Sequence, residues 1–136
     1  MKCLFCYQEL HDGEQHYHAA CAKRFFGSPV IPSMPYSQAD IRELAKQVVR
    51  SHTTVTGVQA KLSMDIERTN QISRLTIVDQ GGKYILKPQT HQYPYLPEIE
   101  DLTMHLAQSV KIDVVPHALL CFDSGELCYL PRRIDR

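Results

Sequence analysis

Cys3 and Cys6 stand in a C-x-x-C at the start of the chain, and His18 and Cys21 form an H-x-x-C after eleven intervening residues. Two short ligand pairs joined by a loop can wrap one tetrahedral ion. In zinc sites thiolates bind at about 2.3 Å and imidazoles at about 2.0–2.1 Å. Four protein ligands leave no open position, so such a centre is structural, with folding coupled to metal binding. A segment this short buries little apolar surface, and a metal substitutes for a core. His16 is the rival for the histidine position; its neighbour His18 is favoured by the two-residue spacing to Cys21. A redox-active C-x-x-C would open a helix in a thioredoxin-like unit, and no βαβ pattern surrounds this one. Merely buried thiols are the remaining alternative, and strand packing accounts for Cys121 and Cys128.

A second group of residues lies further on. In "SHTTVTGVQAKLSM", residues 51–64, a glycine sits among threonines just ahead of a strand pattern. Glycine lets a backbone turn approach a ligand closely. Hydroxyls and free N–H groups are good phosphate donors. In "YILKP", Lys87 closes a predicted strand, and Glu100 opens a predicted helix thirteen residues later. Taken singly, a strand lysine is usually solvated and a first-turn glutamate complements the helix dipole. Taken in this order, the turn, the lysine and the glutamate are the parts a kinase lobe uses to hold ATP phosphates.

These groups need elements to position them. "SPVIPSMPYS" carries three prolines in ten residues and reads as an extended connector. Ser37 is a predicted N-cap, with Asp40 in a capping-box place and Ile41, Leu44, Ala45 and Val48 at helical spacing. A helix is predicted from about Gln38 to Val49. Alternating residues then predict three strands around Leu62–Ile66, Leu75–Ile77 and "KYILKP", joined by "ERTNQIS" and "DQGG". A second helix follows Pro97, with Ile99, Leu102, Leu106 and Val110 as its apolar face. "HALLCF" and "ELCYLP" predict a hairpin closed by "DSGE". The expected fold class is α+β, a five-stranded antiparallel sheet with a packed helix, preceded by a small zinc-ribbon-like module and a helix. The expected units are a Cys/His module at 1–27, a Pro-rich linker and helix at 28–50, and the sheet unit at 51–136.

The composition narrows the function classes. The chain has 136 residues, 43% of them hydrophobic and 22% charged, which suits a folded domain of ordinary size. Its formal net charge is zero with His neutral, without the basic excess of most nucleic-acid binders. Membrane spans and signal peptides need long apolar runs that are absent here. The start "MKCLFC" lacks the apolar core of a signal peptide, so a cytoplasmic, reducing setting is expected, and five cysteines, an odd number, speak against a full disulfide framework.

"TTVTGVQAKL", "YILKP", "PEIEDLTMHLA", "VVPHALL" and "LPRRIDR" resemble, in the same order, the N-terminal lobe of HipA-type serine/threonine kinases, the toxins of toxin–antitoxin systems. The likeness runs from about residue 50 to 136, and the leading Cys/His module resembles a variant extension. It implies a phosphate loop of Thr56, Gly57, Val58, Gln59, Ala60 and Lys61. It implies Lys87 as the strand lysine on ATP, Glu100 as its partner, and Arg132, Arg133 and Ile134 as a hinge against adenine. It also implies autophosphorylation in the loop, at Thr54 or Thr56, where the family usually has serine. ATP with magnesium, an antitoxin partner and an aminoacyl-tRNA synthetase substrate follow from the same likeness. The catalytic aspartate and magnesium ligands of a kinase follow the hinge, so they are expected in a C-terminal lobe and the chain alone is expected to be inactive. Asp65 and Asn70 in "DIERTN" have the catalytic-loop spacing but precede Lys87, and Asp123 fits a hairpin turn. Two other readings stay open: a stand-alone zinc-containing interaction or regulatory module derived from such a lobe, and a zinc-ribbon nucleic-acid binder, which the neutral charge disfavours.

Overall fold

The computed structural model describes residues 1–51, 60–70, 72–78 and 81–134, and only the backbone of 48–51. Among these residues the order is α1 (Ala19–Phe26), α2 (Gln38–Ser51), β1 (Leu62–Thr69), β2 (Ile72–Ile77), β3 (Tyr84–Leu86), α3 (Leu96–Ser109), β4 (His117–Cys121) and β5 (Leu127–Pro131). The class is mixed α+β, and no described helix is long and apolar enough to cross a membrane.

Helix α1 was not anticipated as an element. Its signals are short-range: Cys21, Ala22, Phe25 and Phe26 all fall on the buried side, and Lys23 and Arg24 lie in the last turn, where cations favour the dipole. Gly27 ends it with φ 85°, its N–H reaching the Lys23 carbonyl at 2.9 Å, a left-handed cap that glycine adopts without a Cβ penalty. Helix α2 starts as expected. The Asp40 N–H donates to Ser37 Oγ at 3.1 Å, and the Ser37 N–H donates to Asp40 Oδ2 at 2.9 Å. Aspartate therefore closes the capping box in the place usually held by glutamate.

Strands β1 and β2 form one long antiparallel hairpin, with Met64 opposite Ile77 and Thr69 opposite Ile72. Most of "ERTNQIS", expected as a connector, is therefore paired strand. Arg74 donates to Glu67 across the pair at 2.7 Å, and the turn begins at Asn70 with φ 47°. The proline-rich connector runs along the other edge of β2, where the Ser33 N–H bonds the Ser73 carbonyl at 3.0 Å and the Leu75 N–H bonds the Ser33 carbonyl at 2.8 Å. Before β3, a Cβ on Gly82 would lie 2.2 Å from the Met64 carbonyl oxygen, so only glycine lets the strands close here.

Among the described residues, the strands expected to form one five-stranded sheet form two antiparallel sheets, ordered β2-β1-β3 and β4-β5. They touch at isolated bridges, Lys87 with Tyr129 and Tyr84 with Arg132. The first exchanges both backbone bonds, at 2.9 and 3.0 Å, and the Arg133 N–H reaches the Lys83 carbonyl at 2.6 Å. The register these contacts share sets Pro131 opposite Ile85. Proline has no N–H to donate, so the ladder is interrupted at that step.

One core joins the parts. Cys3, Tyr17, Cys21, Phe25 and Phe26 cluster with Met64, Leu75, Leu86, Leu120 and Leu130. Tyr84 Oη donates to the Phe25 carbonyl at 2.8 Å, and the Leu119 N–H donates to the Leu4 carbonyl at 3.1 Å. Helix α3 departs from expectation. Ile99, Leu102, Leu106 and Val110 are 54%, 48%, 59% and 68% exposed, whereas Pro97 and Asp101 are buried. The reason is polar complementarity: Tyr7 and His117 offer Asp101 hydrogen-bond partners on the inner side, and a satisfied carboxylate takes the place an apolar side chain would fill.

Candidate functional site

The four Cys/His side chains come together from a turn and the start of a helix. The C-x-x-C turn closes when the Tyr7 N–H bonds the Cys3 carbonyl at 3.0 Å, and the Phe5 N–H approaches Cys3 Sγ at 3.4 Å. His18 precedes α1 and Cys21 lies in its first turn. The ligand atoms of Cys3, Cys6, His18 and Cys21 all lie within 4.8 Å of one another. His18 Nδ1 is 3.3 Å from Cys6 Sγ and 3.6 Å from Cys21 Sγ. A tetrahedral zinc with ordinary bond lengths has N···S edges of about 3.6 Å, so the spacing fits a metal. The other ring nitrogen, Nε2, meets the Glu9 carbonyl at 2.7 Å, a second contact of the kind that orients a ligating imidazole. His16 is not in this cluster; its carbonyl serves the Leu4 N–H at 2.7 Å.

The electrostatics of the four differ. Burial alone would raise the Cys3 thiol, but hydrogen bonding from the backbone at Cys6, His18 and Phe5 outweighs it and holds the thiol below its ordinary value. Burial, reinforced by Cys6 and Cys3, pushes Cys21 up to about 12. The Glu9 carbonyl raises His18. A bound cation would expel the thiol protons of the group. None of the five cysteines is in a disulfide.

The second group converges at a cleft of about 800 Å³. Lys87, fixed at the bridge to Tyr129, extends its Nζ to Glu100 Oε2 at 3.1 Å. Their side chains are 20% and 22% exposed, so the pair is neither sealed nor free in solvent. Glu100 is held there because Pro97 starts α3 and Gln89 ties the preceding loop, donating to Glu98 at 2.7 Å and to the Leu127 carbonyl at 3.0 Å. Lys61, Thr103, Tyr129 and Ile134 also line the cleft. Arg132 and Arg133 line it too, but their guanidinium groups are committed to the fold. Arg132 Nη2 donates to the Phe25 carbonyl at 2.6 Å, and Arg133 donates to the Gly82 carbonyl at 2.9 Å and to Ser63 Oγ. Ala60 is buried and Lys61 exposed. Thr54, Thr56, Gly57, Val58 and Gln59 lie outside the described residues.

The profile of the family described as "HipA-like C-terminal domain" matches residues 53–136. The chain belongs to that family. A Haemophilus influenzae protein titled "Putative kinase" is 30% identical over 109 residues, covering 77% of this chain and 30% of that protein. The HipA-like chain thus spans under a third of the length of the curated relative it matches. Lys87, Glu100 and the cleft fall inside the matched HipA-like residues, whereas the four Cys/His side chains precede them.

One polar group went unseen in the sequence. Asp101 is fully buried, with Tyr7 Oη donating to Oδ2 and His117 Nδ1 2.6 Å from Oδ1. The signal available was a charged residue at an inward helical position, masked by the stronger row of apolar residues beside it.

Proposed function

We propose that this chain carries the ATP-binding N-terminal lobe of a HipA-like serine/threonine protein kinase, with Cys3, Cys6, His18 and Cys21 holding a structural zinc. The observation that carries the proposal is the Lys87–Glu100 pair, 3.1 Å apart at the cleft, in a chain of the HipA-like family. A lysine held by a helix glutamate can meet the α- and β-phosphates of ATP. In this reading Lys61 and the residues before it cover the phosphates, and the chain near Arg132–Ile134 meets adenine with its backbone, since the arginine side chains serve the fold. Transfer itself needs an aspartate and magnesium ligands, which the proposal assigns to a C-terminal lobe. The toxin role, an antitoxin partner and an aminoacyl-tRNA synthetase substrate belong to the same proposal.

Titration calorimetry with ATP and magnesium tests it, on this chain and on the chain joined to a C-terminal lobe. Lys87→Ala is expected to weaken binding at least about tenfold, the loss of one charge-assisted hydrogen bond. No nucleotide binding by the joined protein would refute the reading. For the metal, one zinc per chain is expected, with Cys6→Ser losing it. A second reading, an interaction module derived from the lobe, draws on the exposed apolar row of α3; it predicts a folded chain that binds a protein and no nucleotide.

A further inference from the structure

The residue after the C-x-x-C is tied to the helix that carries Glu100. Tyr7 takes φ 69°, an uncommon conformation for a residue with a side chain. Its N–H closes the C-x-x-C turn on the Cys3 carbonyl at 3.0 Å, so the shape of that turn decides where its ring points. The ring reaches α3 at two places one helical turn apart. Tyr7 Oη donates to Asp101 Oδ2, and the ring stacks on His105 with centroids 3.7 Å apart and planes 20° apart. The other Asp101 oxygen meets His117 Nδ1 at 2.6 Å, at the first residue of β4. A buried carboxylate keeps its place only while both oxygens have partners. Glu100 is the neighbouring residue, and Lys87 is pinned independently at the bridge to Tyr129.

We propose that Tyr7, Asp101 and His117 form a relay that makes the seating of α3, and with it the Lys87–Glu100 pair, depend on the closed Cys3–Cys6–His18–Cys21 centre; the proposal rests on that centre holding a metal. Loss of the metal frees the C-x-x-C turn, withdraws the Tyr7 hydroxyl and leaves Asp101 Oδ2 with only His105 Nε2, 3.5 Å away, in reach. The helix then shifts or admits water, and Glu100 leaves Lys87. Tyr7, Asp101 and His117 are positioning residues; none is assigned contact with a nucleotide.

Coupling between two sites is reciprocal, so α3 must also act on the metal. Zinc affinity is measured by competition with a chromophoric chelator in the wild-type chain, Tyr7→Phe, Asp101→Asn and the double variant. Tyr7→Phe keeps the ring stacked and removes only the hydroxyl. Each single variant is expected to bind zinc about tenfold more weakly, and the double variant no more weakly than either single one, as for two ends of one bond. A wild-type chain that takes up no zinc overturns the metal centre and the relay with it. Zinc uptake with unchanged affinity in Asp101→Asn, or fully additive losses in the double variant, overturns the relay alone. Should Asp101→Asn fail to fold, hydrogen exchange of the wild-type and Tyr7→Phe chains decides. Zinc removal is expected to speed exchange across residues 96–109 in the wild type and to do so less in Tyr7→Phe. An identical response in the two overturns the relay.

Discussion

Helices α1 and α3 divide their residues between core and solvent in opposite ways. In α1 the aromatic pair Phe25 and Phe26 is buried and Lys23 and Arg24 face out. In α3 the large aliphatic residues face out and a carboxylate faces in. Both lie against sheet residues, so the difference comes from what each neighbour offers. The surface under α1 is apolar: Phe25 lies edge-on to Tyr84 at 5.4 Å and beside Phe5 at 5.7 Å. The surface under α3 carries the hydroxyl of Tyr7 and the imidazole of His117, which reward an acceptor more than a methyl group. Amphipathic periodicity tells which residues share a face; the chemistry of the neighbour decides whether that face goes inward.

The largest expected effect breaks the comparison on the α1 side. Phe25 is fully buried at the centre of the aromatic cluster, and its carbonyl also receives Tyr84 Oη and Arg132 Nη2. Phe25→Ala keeps those backbone bonds and removes the ring, leaving a cavity. The expected loss is about 3–5 kcal/mol in chemical denaturation. A loss under about 1 kcal/mol would mean that α1 is not seated in the common core.

This contrast also explains what the sequence made legible. The α2 cap, the strand positions and the closing hairpin were readable because each depends on neighbours within a few residues, such as Ser37 with Asp40 or Phe122 with Glu126. The Cys/His cluster was readable because ligand spacing is itself a local pattern, and Lys87 and Glu100 because their order matched a family. The buried face of α3 was not readable, because Tyr7 meets Asp101 across ninety-four positions of chain. Nor was the break between the two sheets foreseen, since what Pro131 interrupts depends on its partner across the sheet. The roles of Arg132 and Arg133 were hidden likewise, because the carbonyls they bind belong to Phe25 and Gly82.

The next effect in size is a pH dependence on the inner side of α3. His105 faces Tyr7, the Phe5 backbone and His117, with Asp101 Oδ2 3.5 Å away on its own helix. Burial, aided by the neighbouring His117, holds His105 below its ordinary value against the pull of Asp101. A histidine depressed in the folded state binds its proton more readily unfolded, so stability falls as pH drops through the ordinary histidine value and levels off below the folded one. His105→Phe keeps a ring over Tyr7 and removes the titration. The melting temperature is therefore expected to fall less between pH 7.5 and 5.5 in His105→Phe than in the wild type, measured by calorimetry. Equal falls would place the acid sensitivity elsewhere.

The smallest effect tests the outer side of α3. Leu106 is 59% exposed and contributes little to the core, although it is the kind of residue that periodicity assigns to one. Leu106→Glu exchanges one good helix former for another, so its expected change in unfolding free energy lies within about 0.5 kcal/mol. The same substitution at a buried position would place an unpaired carboxylate in the core and unfold the chain. Denaturation at two protein concentrations therefore sharpens the comparison. A small, concentration-independent change keeps the apolar row facing solvent in the isolated chain. A loss above about 1 kcal/mol that grows with concentration would show that a second copy covers the row, and the opposite orientations of α1 and α3 would then reduce to one rule with two different partners.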